Sequence, residues 1–445
     1  TINKTEAHYW EKKDMENEDR KKNEFIESLK GKKLLILAGA AVHCKVVEAA
    51  KSLGVYTIVT DYLETSPAKE IADEKWMLNI TDVDGIVERC RAEEVDGVLN
   101  VCIDPAQRSY QEICEKLDVP CFGNKEQFQV LTDKRAFKDF CIMNGVDIIP
   151  EYKIEDIKKG NVEYPILIKP VDSRGSRGQT VCHSIETTNE AIQYAKKESS
   201  NGEVIIEKYM VGKQDFTMSY LVVDKEPYLI RTADRFLGKE EDGLNKQCVF
   251  TISPSSSTEL YLNNVDYHVR QFIKKLKLEN APIFMQGFVD EDTIRFYDPG
   301  LRFSGSDYEK MFLRATEADL VKILVSFALT GKMENVFGSI DNGYLLDNKY
   351  AIQILVTTRS GRISVFDGLE EIIEHPYVVN ASPRYKVGDY VPQSGDVKQR
   401  ICEINMLVPN KKDIKELVKW VQSKIVVLDE EGNNMMVSQI DINLI

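Results

Sequence analysis

No apolar run in this chain of 445 residues approaches the roughly 18 to 20 residues that a helix needs to cross a bilayer. The opening stretch, TINKTEAHYWEKKDMENEDRKKNEF, is densely charged and lacks the apolar core of a secretory signal. Membrane spans are therefore not expected, and the cytoplasm is the expected location. Cysteine pairing is missing too. The nine cysteines are scattered, odd in number and without a CxxC pair, so buried thiols are expected rather than a disulfide framework or a zinc site. The five histidines keep no metal-like spacing, and no Ser/His/Asp arrangement stands out. Basic charge is in short supply: 58 Lys and Arg against 72 Asp and Glu leave a net charge of -14. That argues against a nucleic-acid partner, whose phosphate backbone demands a basic face. A small anionic ligand needs only local positive charge, so it stays open. Neither internal repeats nor low-complexity tracts are evident.

With 43% hydrophobic residues the chain has ordinary globular balance, and its length predicts two to four domains with substantial cores. Residues 1–31 read as a charged leader. Residues 32–128 alternate between two periodicities. KKLLILAG (32–39), VYTIVTD (55–61) and GVLNV (97–101) read as buried strands, while 42–54, 83–93 and 105–118 carry helical spacing. This predicts a small parallel α/β domain. Gly39 in the first turn and Asp61 after the second strand invite a dinucleotide reading. Ala40 and Ala41 follow Gly39, so the glycine fingerprint fails.

The most informative stretch is YPILIKPVDSRGSRG (164–178). An apolar run delivers Lys169 and breaks at Pro170 into a Gly/Ser/Arg loop. The reading from residues alone has two branches: an ordinary hairpin, or a phosphate cradle in which Gly175 and Gly178 let backbone N–H groups converge and Lys169 adds a point charge. Three further segments flank it in order: LTDKRAFKDFCIMNGVDIIP (131–150), EVIIEKYMVGKQDFTMSYLV (203–222) and IFMQGFVDEDTIRFYDPGLRFSGS (283–306). The four together resemble the ATP-grasp superfamily of ATP-dependent carboxylate ligases, in its carbamoyl-phosphate synthetase large-subunit and biotin-carboxylase-like branch.

That resemblance implies an α/β and α+β multidomain architecture: a pre-ATP-grasp domain at 32–128, an ATP-grasp domain at 129–335 with lobes 129–205 and 206–335, and a small α+β C-terminal domain at 336–445. It also implies ATP and Mg2+ as cofactors, with Mn2+ as a substitute for the metal. Lys134 and Lys169 would face phosphate, and Arg174, Gly175, Ser176 and Gly178 would form the loop, with Arg177 beside it. Glu207, Lys208, Tyr209 and Met210 would form the adenine hinge, with the Glu207 carboxylate on the exocyclic amine and Lys208 and Met210 using backbone groups. Asp215 would hold the ribose where the family has a glutamate. Gln286 and Asp298 would bind metal, and Arg302 would steady the acyl phosphate or the substrate carboxylate through a bidentate contact. The pattern departs from the family at Gly300, which stands where an asparagine ligand belongs.

Arg231 and Arg235 lie in the segment that faces the acceptor cavity in such ligases, and GKEEDGLNKQCVFTISPS (238–255) is polar enough for a lid. Small-molecule carboxylate and amine substrates are the expected partners, and a homodimer is the assembly the chain leaves open. The function implied is amide or peptide-like bond formation through an acyl phosphate, releasing ADP and phosphate. Carboxyphosphate chemistry is the alternative among enzymes, and an ATP-binding scaffold or sensor without turnover is the alternative outside them.

Overall fold

The computed structural model describes residues 19–171, 178–199, 201–238, 247–395 and 397–445. Arg174, Gly175 and Ser176 of the expected phosphate loop, Arg177 beside them and positions 239–246 of the expected lid lie outside the described residues, as does the leader up to residue 18. The chain forms two compact units, residues 1–125 with 317–339 and residues 126–316 with 340–445. Among the described residues no helix is long and apolar enough to cross a membrane.

The first unit is built on four parallel strands: β1 (Lys33–Leu37), β2 (Tyr56–Thr60), β3 (Glu74–Trp76) and β4 (Gly97–Leu99), in the spatial order β3-β2-β1-β4. Helix α1 (Cys44–Ser52), the short helix Pro67–Ile71 and α2 (Val83–Ala92) connect them in turn, as parallel neighbours require a crossover, and α3 (Gln107–Leu117) follows β4. Strand β3 was not foreseen, because Glu-Lys-Trp has neither the length nor the alternation that marks a strand. Residues 317–335, expected at the end of the second lobe, and 336–339, expected to open the C-terminal domain, belong here. Their helix Leu320–Thr330 is apolar nearly all round, and Phe327 stacks on Phe122 with ring centroids 5.4 Å apart.

In the second unit, β5 (Ile166–Pro170), β6 (Thr180–Cys182) and β7 (Val204–Lys208) make a three-stranded antiparallel sheet with β5 in the centre. Helix α4 (Lys134–Met143) starts at an Asp133 N-cap whose Oδ1 accepts from the Ala136 amide at 2.9 Å, and α5 (Thr188–Glu198) packs on β5. Gly178 follows the loop at φ +73°. A Cβ there would stand 2.6 Å from Pro170 Cγ and 2.8 Å from Glu198 Cβ, so glycine is required by crowding and by a left-handed backbone together.

A larger antiparallel sheet comprises β8 (Asp215–Val223), β9 (Glu226–Leu237), β10 (Cys248–Ser253), β11 (Ala281–Asp290), β12 (Thr293–Gly300), β13 (Tyr350–Thr358), β14 (Val378–Pro383) and β15 (Arg400–Val408). Their order is β12-β11-β8-β9-β10-β13-β15-β14, with the short strand Met436–Val437 pairing to β13. The C-terminal strands thus continue the sheet that carries the expected metal strands.

Alternation gives this sheet two unlike faces. Phe250, Ile252, Ile352, Ile354, Cys402, Ile404 and Met406 point into a core with Ile414, Leu417, Val418 and Val421 of α7 (Ile414–Lys424); α6 (Tyr308–Thr316) contacts β13, β14 and β15. Full burial of each such apolar side chain stabilises by about 1.5–3 kcal/mol. The intervening residues Thr251, Ser253, Gln353, Glu403 and Asn405 are polar and equally buried. A buried polar face has to be satisfied internally or by a ligand.

Candidate active site

Lys169 and Glu207 meet because β5 and β7 pair antiparallel, with Leu167 opposite Glu207 and Lys169 opposite Ile205. The two side chains share one face, diagonally placed. Lys169 Nζ lies 2.5 Å from Glu207 Oε1, and both groups are buried. A second lysine completes the arrangement. Lys138, on the inner side of α4 and fully buried, places Nζ 2.7 Å from Glu207 Oε2 and 2.6 Å from Glu151 Oε1. Arg135 Nη1 closes on Glu151 Oε2 at 2.7 Å. Three cations therefore share two carboxylates, leaving a local positive excess where an anion is expected.

Burial works against ionisation of Glu207, but Lys169 and Lys138 outweigh it and hold its pKa near 2. Burial lowers Lys169, with Glu207 opposing and the charges of Lys138 and Lys134 adding to the fall. Lys134, the first residue of α4, is therefore within electrostatic range of Lys169. Burial also acts to lower Lys138, yet Glu207 and Glu151 raise it. Lys138 was missed in the sequence. Its only signal there is a charged residue between Phe137 and Cys141, on the stripe α4 buries.

At the hinge, the amides of Lys208 and Tyr209 are already used. They donate to the carbonyls of Pro150 at 2.9 Å and Pro165 at 3.0 Å. The Lys208 ammonium turns to Glu163 Oε2 at 2.8 Å, on the surface. Met210 is buried. Of the backbone groups expected to meet a base, the Lys208 N–H is excluded by its bond to Pro150, which leaves that residue its carbonyl.

Asp215 is 3% exposed and directly opposite Arg235 in the β8–β9 register. Both its carboxylate oxygens accept from Arg235 Nη1 at 2.9 Å, and Oδ2 accepts from the Tyr297 hydroxyl at 3.1 Å. Burial raises its pKa against the pull of Arg235. The ribose role expected of Asp215 and the substrate role expected of Arg235 thus meet a competing commitment, because each is the other's buried counterion.

Gln286 and Asp298 face one another across β11 and β12. Gln286 Oε1 accepts from the Tyr297 hydroxyl at 3.3 Å. An amide oxygen and a carboxylate side by side are hard donors that fit a magnesium ion. The position of the absent asparagine has a steric explanation. Phe284 pairs with Gly300, and a Cβ on Gly300 would lie 2.2 Å from Phe284 Cε1. The ring occupies the space a side chain would need. Arg302, 7% exposed, stacks its guanidinium 4.6 Å from the centre of that ring and donates from Nη1 to the Phe303 carbonyl at 2.8 Å.

The buried polar face carries the rest. Arg231, 3% exposed, donates to Ser253 Oγ (3.2 Å), Ser304 Oγ (3.1 Å), Thr251 Oγ1 (3.3 Å) and Gln353 Oε1 (2.8 Å), and lies 4.3 Å over the Tyr308 ring. Gln353 passes its amide to Glu403 Oε1 at 3.1 Å and Asn405 Oδ1 at 2.8 Å. Arg235, Thr251, Gln353, Asn405 and Asn380 are successive register partners across β9, β10, β13, β15 and β14. Gln353, Glu403 and Asn405 went unnoticed in the sequence.

Residues 133–259 match the family described as "Carbamoyl-phosphate synthase L chain, ATP binding domain". Among curated proteins, the chain is similar to the methylcrotonoyl-CoA carboxylase subunit alpha of Dictyostelium discoideum, a mitochondrial protein, with 26% identity over 210 residues covering 40% of this chain and 29% of that one. The chain spans about half or less of the length of the curated relatives it matches. Among solved structures, phosphoribosylglycinamide synthetase from Anaerococcus prevotii superposes with a TM-score of 0.73 at 17% identity, over 90% of this chain and 100% of that one. The L-amino acid ligase from Bacillus licheniformis gives 0.74 at 16% identity, over 90% and 99%. The fold of the chain is the ATP-grasp fold, as the four sequence segments imply.

Proposed function

We propose that the chain is a cytoplasmic ATP-dependent ligase that phosphorylates a small carboxylate and passes the acyl group to an amine. A carboxylate oxygen attacks the γ-phosphorus, and the bond to the bridging oxygen breaks with its electron pair leaving on ADP. The amine then attacks the acyl carbon, inorganic phosphate departs with the C–O electron pair, and the amine proton passes to solvent. Such transfer is driven mainly by positioning and charge neutralisation. The observation that carries the reading is the lysine pair. Lys169 is presented from β5 in a water-excluded setting with Lys134 in range, inside the segment that matches an ATP-binding domain. Lys138 and Glu207 hold Lys169 in place. Gln286 and Asp298 would hold Mg2+, which would supply neutralisation of the charge developing on the transferred phosphate. Arg302 would meet the acyl phosphate or the substrate carboxylate. The lobe division at 205 and 206 and the hinge role of Glu207 to Met210 belong to the same proposal.

The test is product-resolved ATP turnover with magnesium, pooled small carboxylates including amino acids, and pooled amines. Substrate-stimulated ADP and phosphate with a new amide is the expected result, and AMP would refute the mechanism. Bicarbonate consumed with biotin would move the assignment to carboxyphosphate chemistry, the direction in which the carboxylase relatives point. One observation favours a second reading. The Phe284 ring closes the position of the missing asparagine ligand, as in a protein that binds ATP without turnover. ATP binding with no ADP in any pool would establish that reading.

A further inference from the structure

Arg400 is buried with almost nothing to hold it. On β15 it is 8% exposed, and the hydrogen bond its guanidinium makes among the described residues is a long one, from Nη2 to the Cys248 carbonyl at 3.5 Å. A guanidinium offers five donors. No carboxylate among the described residues comes within the 4.0 Å of an ion pair with it. Glu403, whose field reaches Arg400, already accepts from Gln353 Nε2 at 3.1 Å and from the Asp307 amide at 2.9 Å. Burial and the neighbouring charge of Arg384 both lower the pKa of Arg400.

Arg231 repeats the pattern on the same face. Among the described residues its four hydrogen bonds all go to neutral oxygens, and none of their carboxylates comes within 4.0 Å of it. Thr357, the register partner of Arg400, lies on the same side of β13 as Gln353, to which Arg231 is bonded. Both guanidiniums are within electrostatic range of Arg235 and Cys248. Arg235 does have its carboxylate, Asp215. Desolvating a cation without a counter-charge is unfavourable unless an anion joins it. Two such cations on one buried polar face describe a site whose negative charge arrives with the ligand.

We propose that Arg400 and Arg231 form an oxyanion subsite for an ionised carboxylate or phosphate group on a substrate, distinct from the carboxylate being activated. The assignment rests on the ligase reading above and narrows its substrate class to small molecules with a second anionic group: acidic amino acids, other dicarboxylates or phosphorylated acids. Monocarboxylates without further charge are poor substrates on this account.

The test uses the full chain without nucleotide, with succinate and inorganic phosphate as probes, read by calorimetry and thermal denaturation beside Arg400→Met and Arg400→Lys. The parent is expected to bind at least one probe. Binding of succinate alone identifies a carboxylate group, and binding of phosphate alone a phosphate group. Arg400→Met should weaken binding by about tenfold or more, as expected for loss of a hydrogen bond to a charged group. Arg400→Lys, which keeps the charge and loses the fork, should fall between. Without probe, Arg400→Met should melt at or above the parent, since it removes an uncompensated buried charge at similar volume. A lower melting temperature would mean a structural arginine and would overturn the proposal. So would unchanged binding in Arg400→Met, or no binding of either probe to the parent. These measurements contain no ATP, so failure of the ligase reading leaves them standing. Turnover that survives alongside unchanged binding in Arg400→Met would sink the subsite and leave the ligase.

Discussion

Phe284 and Gly300 fit together as ring and vacancy: opposite one another on β11 and β12, they leave 2.2 Å between Phe284 Cε1 and the place of a Cβ on residue 300. Restoring the asparagine of the family pattern is therefore not a single substitution. Gly300→Asn alone should lose about 1–3 kcal/mol, the usual cost of overpacking, and disturb the stacked Arg302 guanidinium. Combined with Phe284→Ala, the asparagine gains room and part of the stability should return. Urea denaturation of the parent and the two variants decides it. A single Gly300→Asn variant as stable as the parent would show that the ring yields freely and that sterics do not account for the glycine.

Glu207 makes the stability of the second unit depend on acid. Its pKa falls from the ordinary 4.5 to about 2 in the fold, a difference on the order of 3 kcal/mol. The sign follows from the depressed value: the contribution is fully present above the unfolded pKa and is lost as the pH falls through the folded one, from about 4.5 down to about 2. Glu207→Gln should accordingly be less stable than the parent at pH 7, and the gap should narrow between pH 4.5 and 2. Denaturant midpoints measured across that range test it. A gap independent of pH would assign the glutamate's role to packing.

How much of this could be read from the chain depends on the distance over which each feature is determined. The strands around Leu34–Leu37 and Ile166–Lys169 were legible because a continuous apolar run is a local signal. Lys169 was legible because it ends such a run. Gln286 and Asp298 were singled out by a motif spanning two adjacent strands, and the register places them opposite one another. Lys138 was not, since its partner Glu207 lies 69 residues away and only the packing of α4 brings them together. Arg231 and Gln353, 122 residues apart, meet through two strand registers that no local pattern specifies. The counterion role of Asp215 was hidden for the same reason, and so was the ring against Gly300, because the sequence shows a missing ligand but not what took its place.

Lys169 and Lys138 hold the same carboxylate, yet their loss should differ. Lys169→Ala leaves Glu207 paired with Lys138, so the fold should survive while product formation falls below detection. Lys138→Met leaves both Glu207 and Glu151 short of a buried cation, and breaking a buried pair in this way costs about 3–5 kcal/mol. Denaturation and ADP release measured on both variants separate the roles. Normal turnover in Lys169→Ala would remove that lysine from the phosphate site, and a Lys138→Met variant as stable as the parent would show that the two glutamates find other partners.

Asp215 and Arg235 give the last expectation, because a counterion and a ribose ligand predict different mutant cycles. As a counterion, Asp215→Asn should leave Arg235 charged in a buried position and cost about 3–5 kcal/mol. Adding Arg235→Gln removes the stranded charge, so the double variant should recover most of that loss, with a coupling energy well above 1 kcal/mol. If Asp215 instead binds ribose, its own loss should raise the KM for ATP, and the second substitution should not repair it. Stability and ATP KM measured on the two single variants and the double variant distinguish the cases. Additive stabilities together with an ATP KM that stays high in the double variant would return Asp215 to the nucleotide site.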